Sequence, residues 1–201
     1  MIKKLILTSN HPFIKELRTS IKNIEIEERF DLVFSRPLGL LFTRMAIWLK
    51  LTPLFVSIVS MIFGVLAGIL FYWQDHLFIV LMACLFLIIA GVLDSTDGQL
   101  ARLTNQSSKI GMIVDGAIDN VVFMAVYVGA CIYLLPQYGL IILILGIISG
   151  ACHSIQSLMY DYQKNEFSFY IGNKTQYRNP TVDEVKKTAG TPKGFWAKCL
   201  N

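Results

Sequence analysis

Four long apolar runs constrain the fold of this chain more than any other feature. They cover residues 54–73, 77–93, 110–135 and 138–159, and each is close to the roughly 20 residues that cross about 30 Å of hydrocarbon as a helix. Because 54% of the chain is hydrophobic and that excess is concentrated in these runs, an ordinary soluble domain is excluded. We therefore expect an all-α integral membrane protein with a four-helix transmembrane bundle, since a helix satisfies its own backbone hydrogen bonds in lipid.

The basic residues predict the orientation of these helices. Every Lys and Arg lies before the first run, between the second and third, or after the fourth. Positively charged residues concentrate on the cytoplasmic side of membrane proteins, so both termini and the connection between the second and third runs are predicted to be cytoplasmic. The net charge of +4 therefore has a topological explanation. No nucleic-acid motif is present, and nucleic acid is not an expected partner.

The region before the first run mixes charged and apolar residues. Its apolar positions recur at helical spacing, which predicts an amphipathic helix at Phe13, Leu17, Ile21 and Ile24. After Pro37, the stretch 38–51 places Trp48 between cations, as in a helix that lies in the membrane interface.

These patterns divide the chain into three predicted parts. Residues 1–53 form a cytoplasmic amphipathic and interfacial region, residues 54–160 a transmembrane catalytic core, and residues 161–201 a cytoplasmic tail. Within the first run, Gly64 and Gly68 form a small-xxx-small pattern that favours close helix packing or dimer formation.

Four aspartates lie at the predicted cytoplasmic ends of the second and third runs. Asp94 and Asp97 are three residues apart, and Asp115 and Asp119 are four apart, so each pair shares one helix face. Acidic residues are costly beside hydrocarbon and usually functional. Four facing carboxylates would repel one another unless cations lay between them. Oxygen ligands favour Mg²⁺ or Mn²⁺, and a pair of such ions suits displacement at phosphorus.

Small residues lie on the same helix faces, and together with the acids they form a motif. The pattern Asp94-x2-Asp97-Gly98-x2-Ala101-Arg102-x8-Gly111-x3-Asp115-x3-Asp119 resembles the signature of the CDP-alcohol phosphatidyltransferase family at all eight defining positions. A looser resemblance extends over residues 36–161 and includes the pair Arg36-Pro37 and the sequence Leu51-Thr52-Pro53.

This resemblance implies a reaction. Family members transfer a phosphatidyl or other substituted phosphate group from a CDP-linked lipid, such as CDP-diacylglycerol, to an alcohol and release CMP in phospholipid biosynthesis. The resemblance implies that the donor lies with its acyl chains in the membrane and its nucleotide in the cytoplasm. It also favours a homodimer.

The resemblance implies roles for the motif residues as well. The predicted ligands of two metal ions are Asp94, Asp97 and Asp115, together with Asp119. Asp119 is also the predicted acceptor of the alcohol's proton. The predicted binding residues for the CDP moiety are Gly98, Ala101, Arg102 and Gly111.

The fourth run carries a polar patch that includes His153 and Gln156. One interpretation places these residues in the pocket of the acceptor alcohol; the other is hydrogen bonding between helices, which is more common in membranes. Members of the family that this chain resembles typically have six transmembrane helices, whereas four are predicted here.

Three other functions remain open from the sequence. The chain is alternatively a transferase of a CDP-linked head group to diacylglycerol, or a catalytically incomplete subunit that keeps the metal and CDP site. A cation or proton pathway is disfavoured because the acids cluster at one interface instead of along a path. The sequence does not identify the acceptor alcohol.

Overall fold

The described part of the chain is entirely helical. The computed structural model describes residues 2–21, 24, 27–107 and 109–171, and within them it has eight α-helices and no strand, which confirms the predicted all-α class. In chain order the helices are α1 (Ile2–Thr8), α2 (Pro12–Ser20), α3 (Arg29–Val33), α4 (Ser35–Trp48), α5 (Pro53–Leu70), α6 (Leu77–Leu103), α7 (Lys109–Tyr138) and α8 (Ile141–Ile171).

Four of the described helices, α5 to α8, are long and apolar enough to cross a membrane. The chain is therefore an integral membrane protein, as predicted. Three helices extend beyond their predicted apolar runs: α6 continues to Leu103, α7 to Tyr138 and α8 to Ile171. The predicted start of the tail at residue 161 thus falls inside α8, because a helix needs no apolar sequence once it has left the hydrocarbon. The chain divides into two compact units after Gln156.

The turn between α7 and α8 lies later than its sequence signal. The sequence places it at Pro136 and Gln137, but α7 continues through Pro136 to Tyr138. The chain turns at Gly139, whose φ of +64° is a conformation that glycine adopts at little steric cost.

Helix α5 packs against both α6 and α7. On the α7 side the approach is close: a Cβ atom at Gly64 would lie 2.5 Å from Val122 Cγ2, and one at Gly68 would lie 2.5 Å from the carbonyl carbon of Ala125. On the α6 side, Ser60 Oγ donates a hydrogen bond of 2.8 Å to the Ala90 carbonyl. Small residues permit such backbone contact, and the small-xxx-small pattern is used within the chain.

The N-terminal region differs from its prediction. Helix α2 ends at Ser20, and Ile21 is extended with φ −93° and ψ 136°, so the prediction of helix through Ile21 and Ile24 is wrong. Both isoleucines are nevertheless buried in one apolar cluster with Leu17. The spacing of these apolar residues therefore reflects their burial, which Ile21 reaches in an extended conformation after the end of α2.

Helix α4 packs on α6 through polar contacts. Thr43 Oγ1, which donates to the Gly39 carbonyl within α4, is 3.3 Å from the Thr96 carbonyl on α6. Gln99 Nε2 on α6 donates to the Arg36 carbonyl on α4 at 3.0 Å. These contacts hold α4 beside the part of α6 that carries its two aspartates.

Substitution of Gly68 tests the close packing of α5 on α7. In a helix, Gly→Ala normally stabilises by about 1 kcal/mol, but at Gly68 the new methyl group would force the α7 backbone away. We expect G68A to lower the free energy of unfolding by about 1–3 kcal/mol, measured by equilibrium unfolding in mixed micelles. The control is G150A, since a Cβ there meets nothing within 4 Å. Equal stability of the two variants would contradict this packing.

Candidate active site

Three of the four predicted acidic residues converge in the structure. Asp94 and Asp97 on α6 and Asp115 on α7 each offer a carboxylate oxygen, and these oxygens all lie within 4.8 Å of one another. Asp97 is buried and the other two are half-buried. The three-residue spacing puts the α6 pair on one face, and α5, which contacts both α6 and α7, holds that face near Asp115.

This group fits a divalent metal ion. Three carboxylates so close together repel one another strongly, and a cation between them removes that cost. All of the converging groups are carboxylates, the hard oxygen ligands that Mg²⁺ and Mn²⁺ prefer. The residues that would hold the ion are therefore Asp94, Asp97 and Asp115.

A serine from α5 orients one of these carboxylates. The Ser57 hydroxyl donates a hydrogen bond to Asp97 Oδ2 inside the protein. Its position is set by the start of α5, where the Thr52 side chain caps the helix by accepting a hydrogen bond from the Phe55 N–H. Ser57 was missed by sequence reasoning, although a hydroxyl residue inside an apolar run was a usable signal.

The three aspartates line a cavity of about 300 Å³, called the aspartate cavity below. Gly98 and Arg102 of the predicted CDP-binding set also line it. Its other wall comes from α3 and α4, which contribute residues that sequence reasoning did not assign to the site: Asp31, Ser35 and Arg36. The cavity thus combines the acidic helix ends with the N-terminal region.

Three motif residues are described but do not line the aspartate cavity: Ala101, Gly111 and Asp119. Asp119 is exposed and lies outside the group of three carboxylates. Its ligand and proton-accepting roles, like those of the CDP-binding residues, stay predictions.

The motif arginine contacts the N-terminal region. Arg102 Nε donates a hydrogen bond to the backbone carbonyl of Ser20. A Cβ atom at Gly98 would lie 3.3 Å from Arg102 Nη2, so glycine one turn earlier leaves room for the guanidinium at the cavity wall. Arg102 therefore connects α6 to the end of α2.

A second arginine lies in the aspartate cavity and forms an ion pair. Arg36 donates to Glu27 through Nη2 at 2.8 Å and Nε at 3.3 Å, and its Nη1 is 3.4 Å from Ser95 Oγ. From the sequence, Arg36 was noted only as part of an Arg-Pro pair. Glu27 was not predicted as a partner of Arg36, because no local sequence pattern links these two residues, which are nine positions apart.

A comparison with known families identifies the group to which the chain belongs. The family model for CDP-alcohol phosphatidyltransferase matches residues 50–176, which includes α5 to α8 and all four aspartates. The chain belongs to the CDP-alcohol phosphatidyltransferase family. The sequence resemblance is thereby confirmed.

Curated relatives are similar over a shorter segment of the chain. A CDP-diacylglycerol–serine O-phosphatidyltransferase of Helicobacter pylori strain J99 is 36% identical over 75 residues, which are 37% of this chain and 30% of the relative. An archaetidylinositol phosphate synthase of Pyrococcus horikoshii is 35% identical over 72 residues, 36% of each chain. The match thus spans about a third of these relatives' own lengths.

The predicted acceptor residues lie elsewhere in this family member. His153 packs on the Phe123 ring, with 4.1 Å between ring centroids, and lines an apolar cavity of about 540 Å³ between α7 and α8. Gln156 is exposed. Neither residue lines the aspartate cavity, and their acceptor role stays a prediction. Nearby, Ser154 Oγ donates to Asn120 Oδ1 at 3.2 Å, which is a hydrogen bond between helices.

Two serines on α5 test the hydrogen bond to Asp97. Residues that hydrogen-bond to metal ligands typically affect metal affinity about 10–100-fold, so we expect S57A to weaken Mn²⁺ binding by about that factor. The matched control is S60A, because Ser60 is also buried on α5 but donates to the Ala90 carbonyl. Mn²⁺ titration followed by electron paramagnetic resonance measures both. Equal affinities in S57A, S60A and the unmodified protein would contradict the assignment.

Proposed function

We propose that this protein is a divalent-metal-dependent transferase of phospholipid biosynthesis. It moves a phosphatidyl group from a CDP-linked lipid such as CDP-diacylglycerol to an alcohol and releases CMP. The observation that supports this most is the convergence of Asp94, Asp97 and Asp115 at the ends of two membrane helices in a member of this family.

The proposed reaction is a displacement at phosphorus. The alcohol oxygen forms a bond to the phosphorus of the phosphatidyl group, and the bond from that phosphorus to the CMP oxygen breaks. CMP leaves with the electron pair, and the proton of the alcohol passes to Asp119. Asp119 is suited to this role because it follows Asp115 by one helical turn and is exposed, so an incoming alcohol can reach it.

The carboxylates hold the metal, and the rest of the cavity binds the donor. When bound by Asp94, Asp97 and Asp115, with Asp119 as a further ligand, two Mg²⁺ or Mn²⁺ ions supply positive charge that offsets the diphosphate oxygens. The Ser57 hydroxyl keeps Asp97 Oδ2 in place. The CDP moiety lies against the small and basic motif residues Gly98, Ala101, Arg102 and Gly111.

The reaction takes place at the cytoplasmic face in this proposal. The distribution of Lys and Arg puts both termini and the connection from α6 to α7 on that side. Donor acyl chains remain in the bilayer while the nucleotide enters from the cytoplasm. The division into a region 1–53, a core 54–160 and a tail 161–201, and assembly as a homodimer, belong to the same proposal.

A CMP-release assay with CDP-diacylglycerol, Mg²⁺ and a panel of alcohols tests the proposal. We expect release with one of serine, glycerol 3-phosphate, inositol or inositol phosphate. We also expect D119N to lower it by at least about 100-fold if the carboxylate is the base. The control is D75N, since Asp75 precedes α6, about 25 Å along the helix from Asp94, and contacts Tyr133 instead.

Other outcomes point to the other functions. If CDP-lipid and Mn²⁺ bind but no acceptor gives CMP, the chain is an incomplete binding subunit. CMP release that requires diacylglycerol and a CDP-linked head group identifies head-group transfer. Ion flux in proteoliposomes without CMP release indicates a transport pathway.

A further inference from the structure

The aspartate cavity contains an arginine that the metal site does not explain. Arg36 extends from the first turn of α4 into the same cavity as the carboxylates on α6 and α7. The cavity therefore contains one positively charged side chain on α4 together with the carboxylates of Asp94, Asp97 and Asp115. Asp31 on α3 also lines the cavity.

Hydrogen bonds leave part of this guanidinium available to a ligand. A guanidinium has five N–H donors, and three are used: two by Glu27 and one by Ser95. Among the described residues, the second N–H of each terminal nitrogen has no acceptor. These N–H groups can donate to phosphate oxygens, and phosphate is an anion whose shape matches the planar guanidinium.

We propose that Arg36 binds phosphate oxygens of a substrate in the aspartate cavity and that Glu27 positions it for this contact. The proposal rests on the proposed function, since it assigns a substrate contact within the same site. The phosphate belongs to the donor's diphosphate or to a phosphorylated acceptor; both present the same oxygens to the guanidinium.

The environment of Glu27 agrees with a positioning role. The Glu27 side chain is 3% exposed and that of Arg36 is 16% exposed. A buried ion pair adds little net stability, because removing both charges from water costs about as much as their attraction returns. The ion pair does fix the geometry of Arg36: Glu27 accepts hydrogen bonds from Nε and Nη2, which sets the plane of the guanidinium.

A second Glu–Arg pair provides a matched control. Glu16 on α2 pairs with Arg44 on α4, so it also connects the N-terminal region to α4. Its side chains are 32% and 47% exposed, and neither residue lines the aspartate cavity. An exposed pair of this kind contributes little to stability, and its loss is not expected to affect substrate binding.

The test compares R36K and E27Q with R44K and E16Q in the full chain in lipid nanodiscs. R36K keeps the positive charge but removes the planar guanidinium. E27Q keeps the guanidinium but removes the negative charge that pairs with it. Calorimetry in Mn²⁺ measures the binding of CDP-diacylglycerol, glycerol 3-phosphate and inositol phosphate. The CMP-release assay gives KM and kcat for each acceptor.

We expect R36K to weaken binding of the phosphate-bearing substrate by about 10–100-fold, which is the effect of one charge-assisted hydrogen bond. E27Q should act on the same substrate in the same direction. If the phosphate belongs to the donor, R36K and E27Q should bind CDP-diacylglycerol more weakly, and this loss should not depend on which acceptor is used. If the acceptor supplies the phosphate, only glycerol 3-phosphate or inositol phosphate is affected, while serine and inositol keep their KM.

Several results would overturn this assignment. It fails if R36K binds every phosphate ligand as the unmodified protein does, if R44K and E16Q cause the same losses, or if serine alone is affected. The calorimetry does not depend on turnover. A protein that releases no CMP but loses phosphate binding in R36K would therefore refute the proposed function and support the role of Arg36.

Discussion

The packing of α5 between two acidic helices is the contact on which the site depends. Gly64 and Gly68 let α7 approach the α5 backbone, and α5 also packs along α6. Because α5 contacts both helices, Asp115 lies within ligand distance of Asp97 and Asp94. The close packing of helices through small residues therefore holds together carboxylates that would otherwise repel one another.

The N-terminal region completes the site from the opposite side. The Ser20 carbonyl accepts a hydrogen bond from Arg102, and Glu27 pairs with Arg36. Two arginines that line the cavity are thus oriented by residues that precede the membrane helices. An amphipathic segment that looks like a surface anchor thereby supplies part of the electrostatic environment. Carboxylates are groups that divalent metal ions bind, and guanidinium groups are ones that phosphates bind; the cavity contains both.

The sequence predicted what depends on local pattern. Run length and composition were sufficient for the all-α membrane class. Motif spacing selected four carboxylates, of which three converge. Contacts between distant segments were not predictable: Ser57 and Asp97 are 40 residues apart, and nothing local marks them as partners. The end of α2 before Ile21 was not predicted, because buried residues outside a helix can have the same spacing in the sequence as the apolar face of a helix. The extension of α8 to Ile171 was missed because polar residues can continue a helix beyond the bilayer.

An anomalous diffraction map of the protein crystallised in lipid with Mn²⁺ tests the central claim most directly. The account predicts an anomalous peak between α6 and α7, within about 2.0–2.6 Å of carboxylate oxygens from Asp94, Asp97 and Asp115. Absence of a peak there at saturating Mn²⁺, or a peak bound by other residues only, would contradict it.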